Sequence, residues 1–193
     1  MQAVDLAIGD ARLEARSLSL GWKKVFAPEK TILERREEFK KLFLPQKILF
    51  ASAQSGELLR KAAATSNPSS LLLLDPFQAQ NFQKDDGLVR AVAQSAGQGR
   101  PVLFAIPLSH LLRSSFVYRA RFVAGARGFA KKCLKFGAPF AVVSNASSEW
   151  ELKSPREAVA LASLFGLSEQ QARASVSDWP ARALKQFGFG ENK

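Results

Sequence analysis

Ser70-Leu71-Leu72-Leu73-Leu74-Asp75-Pro76-Phe77 decides the fold class. Four leucines in a row, closed by Asp-Pro, are too short a run for a helix of their own. They lack the alternation of a strand with one wet face, so they suit a parallel strand covered on both sides. Phe140-Ala141-Val142-Val143 reads the same way. Working outward, further strands are predicted at Ala3–Ile8, Lys23–Ala27, Lys47–Ala53 and Pro101–Pro107, with the two quoted runs extended to Ser70–Asp75 and Pro139–Ser144. Helical periodicity fills the gaps at Asp10–Leu18, Thr31–Leu42, Ser55–Thr65, Gly87–Ala96 and Val117–Phe136. It continues at Pro155–Phe165, Glu169–Ser175 and Trp179–Phe187. Strands alternating with helices indicate an α/β fold with a parallel sheet. With no repeat or linker in view, one domain over residues 1–188 and a short tail at 189–193 are expected.

Composition excludes several classes. Of 193 residues, 47% are hydrophobic and 15 are Phe, enough for a sizeable core. Asp5, Asp10 and Arg12 interrupt any apolar run near the start, which argues against a signal peptide and for a cytoplasmic protein. The longest apolar stretch, Pro101 to Leu108, is far below the ~20 residues of a membrane span. One cysteine, Cys133, precludes an internal disulfide and a thiolate-rich zinc site.

Charge placement is more informative. The net charge is +11, with 13 Lys/Arg against 11 Asp/Glu in residues 1–86 and six of each in residues 149–193. Between Gly87 and Ser148 stand nine basic residues and no acid, so this third supplies almost the whole excess. A surface free of carboxylates does not repel a polyanion, and a phosphate backbone is the natural partner. A membrane reading would need a polybasic run beside an apolar helix, which is missing.

Chemistry-bearing clusters are scarce. His110 is the only histidine and cannot build a His-rich metal centre. Cys133 falls on an apolar helix stripe, which suits burial rather than catalysis. Asp75-Pro76-Phe77 ends a strand where a barrel would carry function, and equally where a turn wants Asp-Pro. There is no phosphate-binding glycine loop of the nucleotide-hydrolase or dinucleotide-binding type, and Gly97-Gln98-Gly99 is an ordinary loop signal. No catalytic residue and no metal ligand set is expected of the chain itself.

The helix expected at Val117–Phe136 gathers most of the basic excess. At 100° per residue, Phe122, Ala126, Phe129, Ala130, Cys133 and Phe136 share one stripe. Arg121, Arg127, Lys131, Lys132 and Lys135 spread over the other side. Like charges four apart at Arg127, Lys131 and Lys135 cost a few tenths of a kcal/mol per pair, roughly, in isolation. A phosphate backbone would reverse that sign. Arg119 lies beside the apolar stripe, where it could serve as a hydrogen-bonding anchor. Downstream, Ser154-Pro155-Arg156-Glu157 reads as a capped helix start, Gly166 as a helix stop, and Ser168-Glu169-Gln170-Gln171 as a second capped start. Lys153 and Arg156 beside Ser154 make that helix N-terminus either a phosphate seat or a plain cap.

Over most of its length the chain resembles the ribonuclease P protein component 3 family. The resemblance rests on Lys131-Lys132-Cys133-Leu134-Lys135-Phe136-Gly137-Ala138-Pro139, Val142-Val143-Ser144-Asn145-Ala146 and Trp150-Glu151-Leu152-Lys153-Ser154-Pro155-Arg156-Glu157. Leu164-Phe165-Gly166-Leu167-Ser168 and Trp179-Pro180-Ala181-Arg182-Ala183-Leu184 continue it in register. Upstream, Asp85-Asp86-Gly87 resembles the family's Asp-x-Gly helix start, and Tyr118-Arg119-Ala120-Arg121 its Arg-led helix. Val4-Asp5-Leu6 and Leu20-Gly21-Trp22 match weakly.

The resemblance implies a single TIM-barrel-like domain, related to polymerase-and-histidinol-phosphatase phosphoesterases but metal-free; Asp5-Leu6-Ala7-Ile8 stands where those enzymes carry a His-x-His pair. It further implies a non-catalytic subunit of ribonuclease P that binds and organises the catalytic RNA for removal of the 5′ leader from precursor tRNA. The partners would be ribonuclease P RNA, protein component 2 and, through the holoenzyme, precursor tRNA. Magnesium would sit on the RNA. The family's RNA-contacting basic positions carry over onto Arg60, Lys84, Arg90 and Lys153. The family commonly has Arg where Lys153 stands, and its frequent Glu near Phe104-Ala105-Ile106 is absent here. Together with the charge pattern this gives an expected RNA-binding set of Arg60, Lys84, Arg90, Arg121, Arg127, Lys131, Lys135, Lys153 and Arg156. The alternatives are a metal-dependent phosphoesterase of the related barrel superfamily, using Asp5, Asp75, Asp85 or Asp86, and a basic structural protein of another assembly.

Overall fold

A computed structural model describes residues 3–34, 38–42, 45, 47–79, 82 and 85–188. Lys84 and the tail 189–193 lie outside the described residues. Among the described residues seven strands occur: β1 Val4–Asp5, β2 Lys24–Val25, β3 Glu29–Ile32, β4 Ile48–Ser52, β5 Leu71–Asp75, β6 Val102–Pro107 and β7 Phe140–Val143. The helices are α1 Glu14–Ser19, α2 Glu38–Lys41, α3 Gly56–Thr65, α4 Asp86–Gly97, α5 Leu108–Arg113, α6 Phe116–Phe136, α7 Pro155–Ser163, α8 Glu169–Val176 and α9 Asp178–Gln186. Short 3₁₀ turns stand at Ala11–Leu13, Pro76–Gln78 and Glu149–Glu151. No helix among the described residues is long and apolar enough to cross a membrane.

The chain divides into two compact units. One holds the described residues within 28–105, 132–139 and 181–188; the other holds those within 3–27, 106–131 and 140–180. In the former, β3, β4, β5 and β6 lie side by side in that order, all parallel. The four leucines are the reason: Leu71, Leu72, Leu73 and Leu74 are each fully buried, as two-sided coverage requires. Complete burial of one such side chain stabilises by about 1.5–3 kcal/mol. They pair with Ile48 to Ala51 on one flank, and Leu72 to Leu74 pair with Val102 to Phe104 on the other. Among the described residues the sheet ends at β3 rather than closing on itself, and β1 pairs in parallel with β2 in a separate two-stranded sheet.

Three expectations of the sequence are corrected. The helix expected over Thr31–Leu42 is a strand, Glu29–Ile32, followed by the short helix Glu38–Lys41. Charged residues at 34–38 looked helical, but Thr31 and Ile32 find parallel partners in Ala51 and Ser52, and pairing outweighs local propensity. The strands expected at Ala3–Ile8 and Lys23–Ala27 shrink to two residues each. A helix not foreseen, Leu108–Arg113, follows β6 directly, burying Leu108, Ser109 and Leu111.

In the other unit the punctuation read from sequence is in place. Ser154 and Glu157 form a reciprocal capping box on α7, and Ser168 with Gln171 does the same on α8. Gly166 follows α7 with φ +75°, the left-handed conformation that favours glycine. The Trp22 indole N–H donates to the Lys153 carbonyl at 2.8 Å. Phe140 meets Trp179 edge-on, with 4.7 Å between ring centroids.

Candidate nucleic-acid interface

Asp85-Asp86-Gly87 at the start of α4 organises the first half of the site. Asp85 Oδ1 accepts from Leu88 N at 2.8 Å, capping α4, and from Arg60 Nη1 at 3.3 Å, tying α3 to α4. Two glycines make the room. A Cβ on Gly87 would stand 2.8 Å from Arg60 Nη1, and one on Gly56 would overlap Asp85 Oδ2. Arg60 is therefore first an inter-helix tie, with part of its guanidinium still exposed.

Asp86, next in sequence, is bound to the Lys132 ammonium at 2.5 Å. The hydrogen bond from Lys132 holds this carboxyl below the usual range, with Lys135 and Arg90 adding through space. Those three cations thus share one neighbourhood. Two of them meet at the ring of Phe136: Arg90 lies over it with 4.4 Å to the centroid, and Lys135 Nζ is 5.3 Å from the same point. Both heads are held by cation–π attraction on an exposed surface, the kind of fixed pair that meets a phosphate. Phe136 is only half-buried; the sequence placed it on the apolar stripe and did not assign it this role.

The rest of α6 separates into anchors and exposed charges. Ala126, Phe129, Ala130 and Cys133 are fully buried, as the stripe required. Burial pushes the Cys133 thiol well above its ordinary pKa, so it has no nucleophilic character. Arg119 donates Nε to the Leu111 carbonyl and Nη2 to that of Ser114, both at 3.1 Å, which makes it an anchor. Arg127 donates Nη2 to the Leu164 carbonyl at 3.2 Å and packs its stem where a Gly166 Cβ would stand. Arg121, Lys131 and Lys135 are exposed, and Arg121 sits 5.9 Å from the centroid of the Tyr118 ring.

At α7, Arg156 is exposed, while Lys153 donates Nζ to the Trp150 carbonyl at 2.9 Å. Glu157 Oε2 accepts from Ser154 N at 2.8 Å, and that bond holds its carboxyl below the usual range. A carboxylate therefore occupies the helix N-terminus that was a candidate phosphate seat. Of the nine expected RNA-binding residues, Arg60, Arg90 and Lys135 fall within one unit. Arg121, Arg127, Lys131, Lys153 and Arg156 belong to the other. Lys84 lies outside the described residues.

The carboxylates proposed for metal chemistry are occupied otherwise. Asp5 is fully buried and accepts at Oδ1 from Ser144 N and Ala7 N. Burial raises its pKa against those bonds. Asp75 is buried too, accepts from Phe77 N at 2.9 Å to cap the 3₁₀ turn, and has its pKa pushed up to about 7 by burial. Asp85 and Asp86 hold Arg60 and Lys132. Among the described residues no three His, Cys, Asp or Glu side chains are grouped to hold a metal ion. His110 packs 5.7 Å from the Phe122 ring, and burial, then Arg113, lowers its pKa to about 4. The phosphoesterase alternative gains no support from this arrangement.

Fold and site thus define a parallel α/β protein with a cationic helical face. The family model described as RNase P subunit p30 matches residues 40–188, and the chain belongs to that family. It is 30% identical over 130 residues to ribonuclease P protein component 3 of Methanococcoides burtonii, covering 67% of this chain and 52% of that protein. The same protein of Methanothermobacter thermautotrophicus is 29% identical over 133 residues, 69% of this chain and 53% of that one. The chain therefore spans about half the length of the curated relatives it matches. A chain in the cryo-EM structure of archaeal ribonuclease P with mature tRNA superposes with a TM-score of 0.67 at 19% identity, covering 92% of this chain and 75% of that one. At that identity the likeness bears on the fold.

Proposed function

We propose that the chain is a protein subunit of ribonuclease P, which binds and organises the catalytic RNA for removal of the 5′ leader from precursor tRNA. The observation that carries this reading is the pairing of Arg90 and Lys135 on one Phe136 ring, with Lys132 neutralised by Asp86 beside them. Arg90, Lys132 and Lys135 stand within the acid-free stretch 87–148 of this chain, and the chain's family has members named for this ribonucleoprotein. Basic side chains fixed before binding lose little entropy on meeting phosphates, and each contact releases counterions.

On this reading the protein supplies charge neutralisation and shape, and hydrolysis belongs to magnesium held by the RNA. The chain itself binds no cofactor and contributes no catalytic residue. Ribonuclease P protein component 2 is the proposed protein partner, precursor tRNA is met through the holoenzyme, and the setting is the cytoplasm. The parallel strands followed by helices fit a TIM-barrel-like domain, which is the finer fold assignment we propose.

The test is equilibrium binding of the chain to ribonuclease P RNA, with an unrelated structured RNA of equal length as the competitor. Preference for the former, with affinity falling linearly in log-salt, supports the reading. Equal affinity for both would favour a generic basic protein of another assembly.

A further inference from the structure

The start of α6 is exposed on every side. Phe116 is 87% exposed, Val117 55% and Tyr118 64%, and all residues from Ser115 to Arg121 are on the surface. An open groove of about 440 Å³ runs along this helix. Phe116, Ala120, Ala124 and Leu164 line it, with Arg119 and Arg127. Both arginines are pinned to backbone carbonyls, so the walls are set before anything binds.

An aromatic ring left in water is stabilised by whatever flat apolar surface covers it, and two classes of macromolecule offer one. Charge decides between them. Arg119 and Arg127 line the groove with Phe116, Arg121 lies 5.9 Å from the centroid of the Tyr118 ring, and no carboxylate occurs between Gly87 and Ser148. A double helix would satisfy the arginines but leave the rings uncovered, because its bases are stacked inside. Unpaired nucleotides satisfy both at once, with bases against aromatic faces and phosphates against guanidinium groups.

We propose that the first turns of α6, through Phe116 with the groove beside it and Tyr118 on the other side of the same helix, form a stacking platform for unpaired bases of RNA. This rests on the RNA-binding reading above and adds the structural class of RNA recognised: single-stranded loops or ends. Phe116 supplies the freest ring face, Tyr118 the second, and the arginines hold the backbone.

The test uses the full chain, a short labelled single-stranded RNA, and an abasic strand of the same length and charge. The wild type is expected to bind the base-bearing strand more tightly. Phe116→Ala with Tyr118→Ala is expected to lose affinity for it by about five- to 150-fold per unstacked base, and to leave abasic binding unchanged. Circular dichroism checks that the surface variant folds. Equal binding of the two strands by the wild type, or an unchanged affinity in the double variant, overturns the stacking platform while RNA binding by charge survives. In that case the exposed rings belong to a protein contact. Failure of the wild type to bind either strand overturns both.

Discussion

The guanidinium of Arg90 on α4 lies over the ring of Phe136, the last residue of α6, at 4.4 Å from its centroid. Lys135 approaches the same ring, so one half-buried phenyl group holds two cations that would otherwise repel. Substituting both Arg90 and Lys135 with Ala is expected to weaken RNA binding and to reduce the slope of log affinity against log salt by about 1.4–1.8, from ~0.7–0.9 per lost phosphate contact. Titration over a range of salt measures this. Phe136→Leu keeps the apolar volume but frees both cations, and should weaken binding with little change in slope.

Gly56 should not tolerate alanine, although it stands in the first turn of a helix where propensity favours the change by up to ~1 kcal/mol. The new Cβ would displace the Asp85 carboxylate, which both caps α4 and holds Arg60. Loss of a cap costs about 1 kcal/mol, so Gly56→Ala should lower the denaturation midpoint. Gly128 is the control: it is exposed on α6 with nothing within 4 Å of a built Cβ. Gly128→Ala should therefore stabilise the protein by about 0.5–1 kcal/mol. Chemical denaturation of the two variants checks the contrast.

Arg113 and Glu151 form a forked pair in which Nε and Nη2 reach the two carboxylate oxygens, and Ser147 N donates to the same group. Glu151 is buried while Arg113 is half in solvent. Arg113→Ala would strand a buried carboxylate and should cost about 2 kcal/mol, below the 3–5 of a fully buried pair because water screens the arginine. Arg113→Lys keeps the charge but not the fork, so its midpoint should fall between the two.

Asp75 gives the chain a pH dependence with a definite sign. Its folded pKa of about 7 stands above the ordinary 3.8, so between those values the folded state holds a proton that the unfolded chain has released. Stability from this group is full below about pH 4 and is lost as the pH rises through about 7, by roughly 4 kcal/mol in all. Asp75→Asn keeps an acceptor for Phe77 N and no longer titrates. It should match the wild type in acid and exceed it in melting temperature above pH 7. The difference between the proteins is the quantity to follow, because His110, kept neutral down to about pH 4, tilts both curves the opposite way.

The sheet was readable because its signal is local. The runs at Leu71–Leu74 and Phe140–Val143 are apolar without alternation, and both became buried strands. The capped starts at Ser154 and Ser168 are equally local and form as expected. The strand Glu29–Ile32 was not readable, since its burial pattern exposes Glu29, Lys30 and Ile32 and only pairing with β4 defines it. The site was half visible. Charge density marked α6, but nothing near Arg127 in sequence announces the Leu164 carbonyl, nor anything near Arg60 its tie to Asp85. Such partners lie 37 and 25 residues away and arise from packing. The glycines at 56 and 87 were the only trace of the second tie, and they acquire that meaning once α3 and α4 are seen together.

Subunit function is tested most directly by cleavage of a precursor tRNA by ribonuclease P RNA at low magnesium, with this chain and protein component 2 added singly and together. 5′-Leader removal is expected to rise only when RNA and both proteins are present, and to fall back when Arg90 and Lys135 are replaced by Ala. Cleavage that is indifferent to this chain, or equal with the wild type and the Arg90/Lys135 variant, would contradict it.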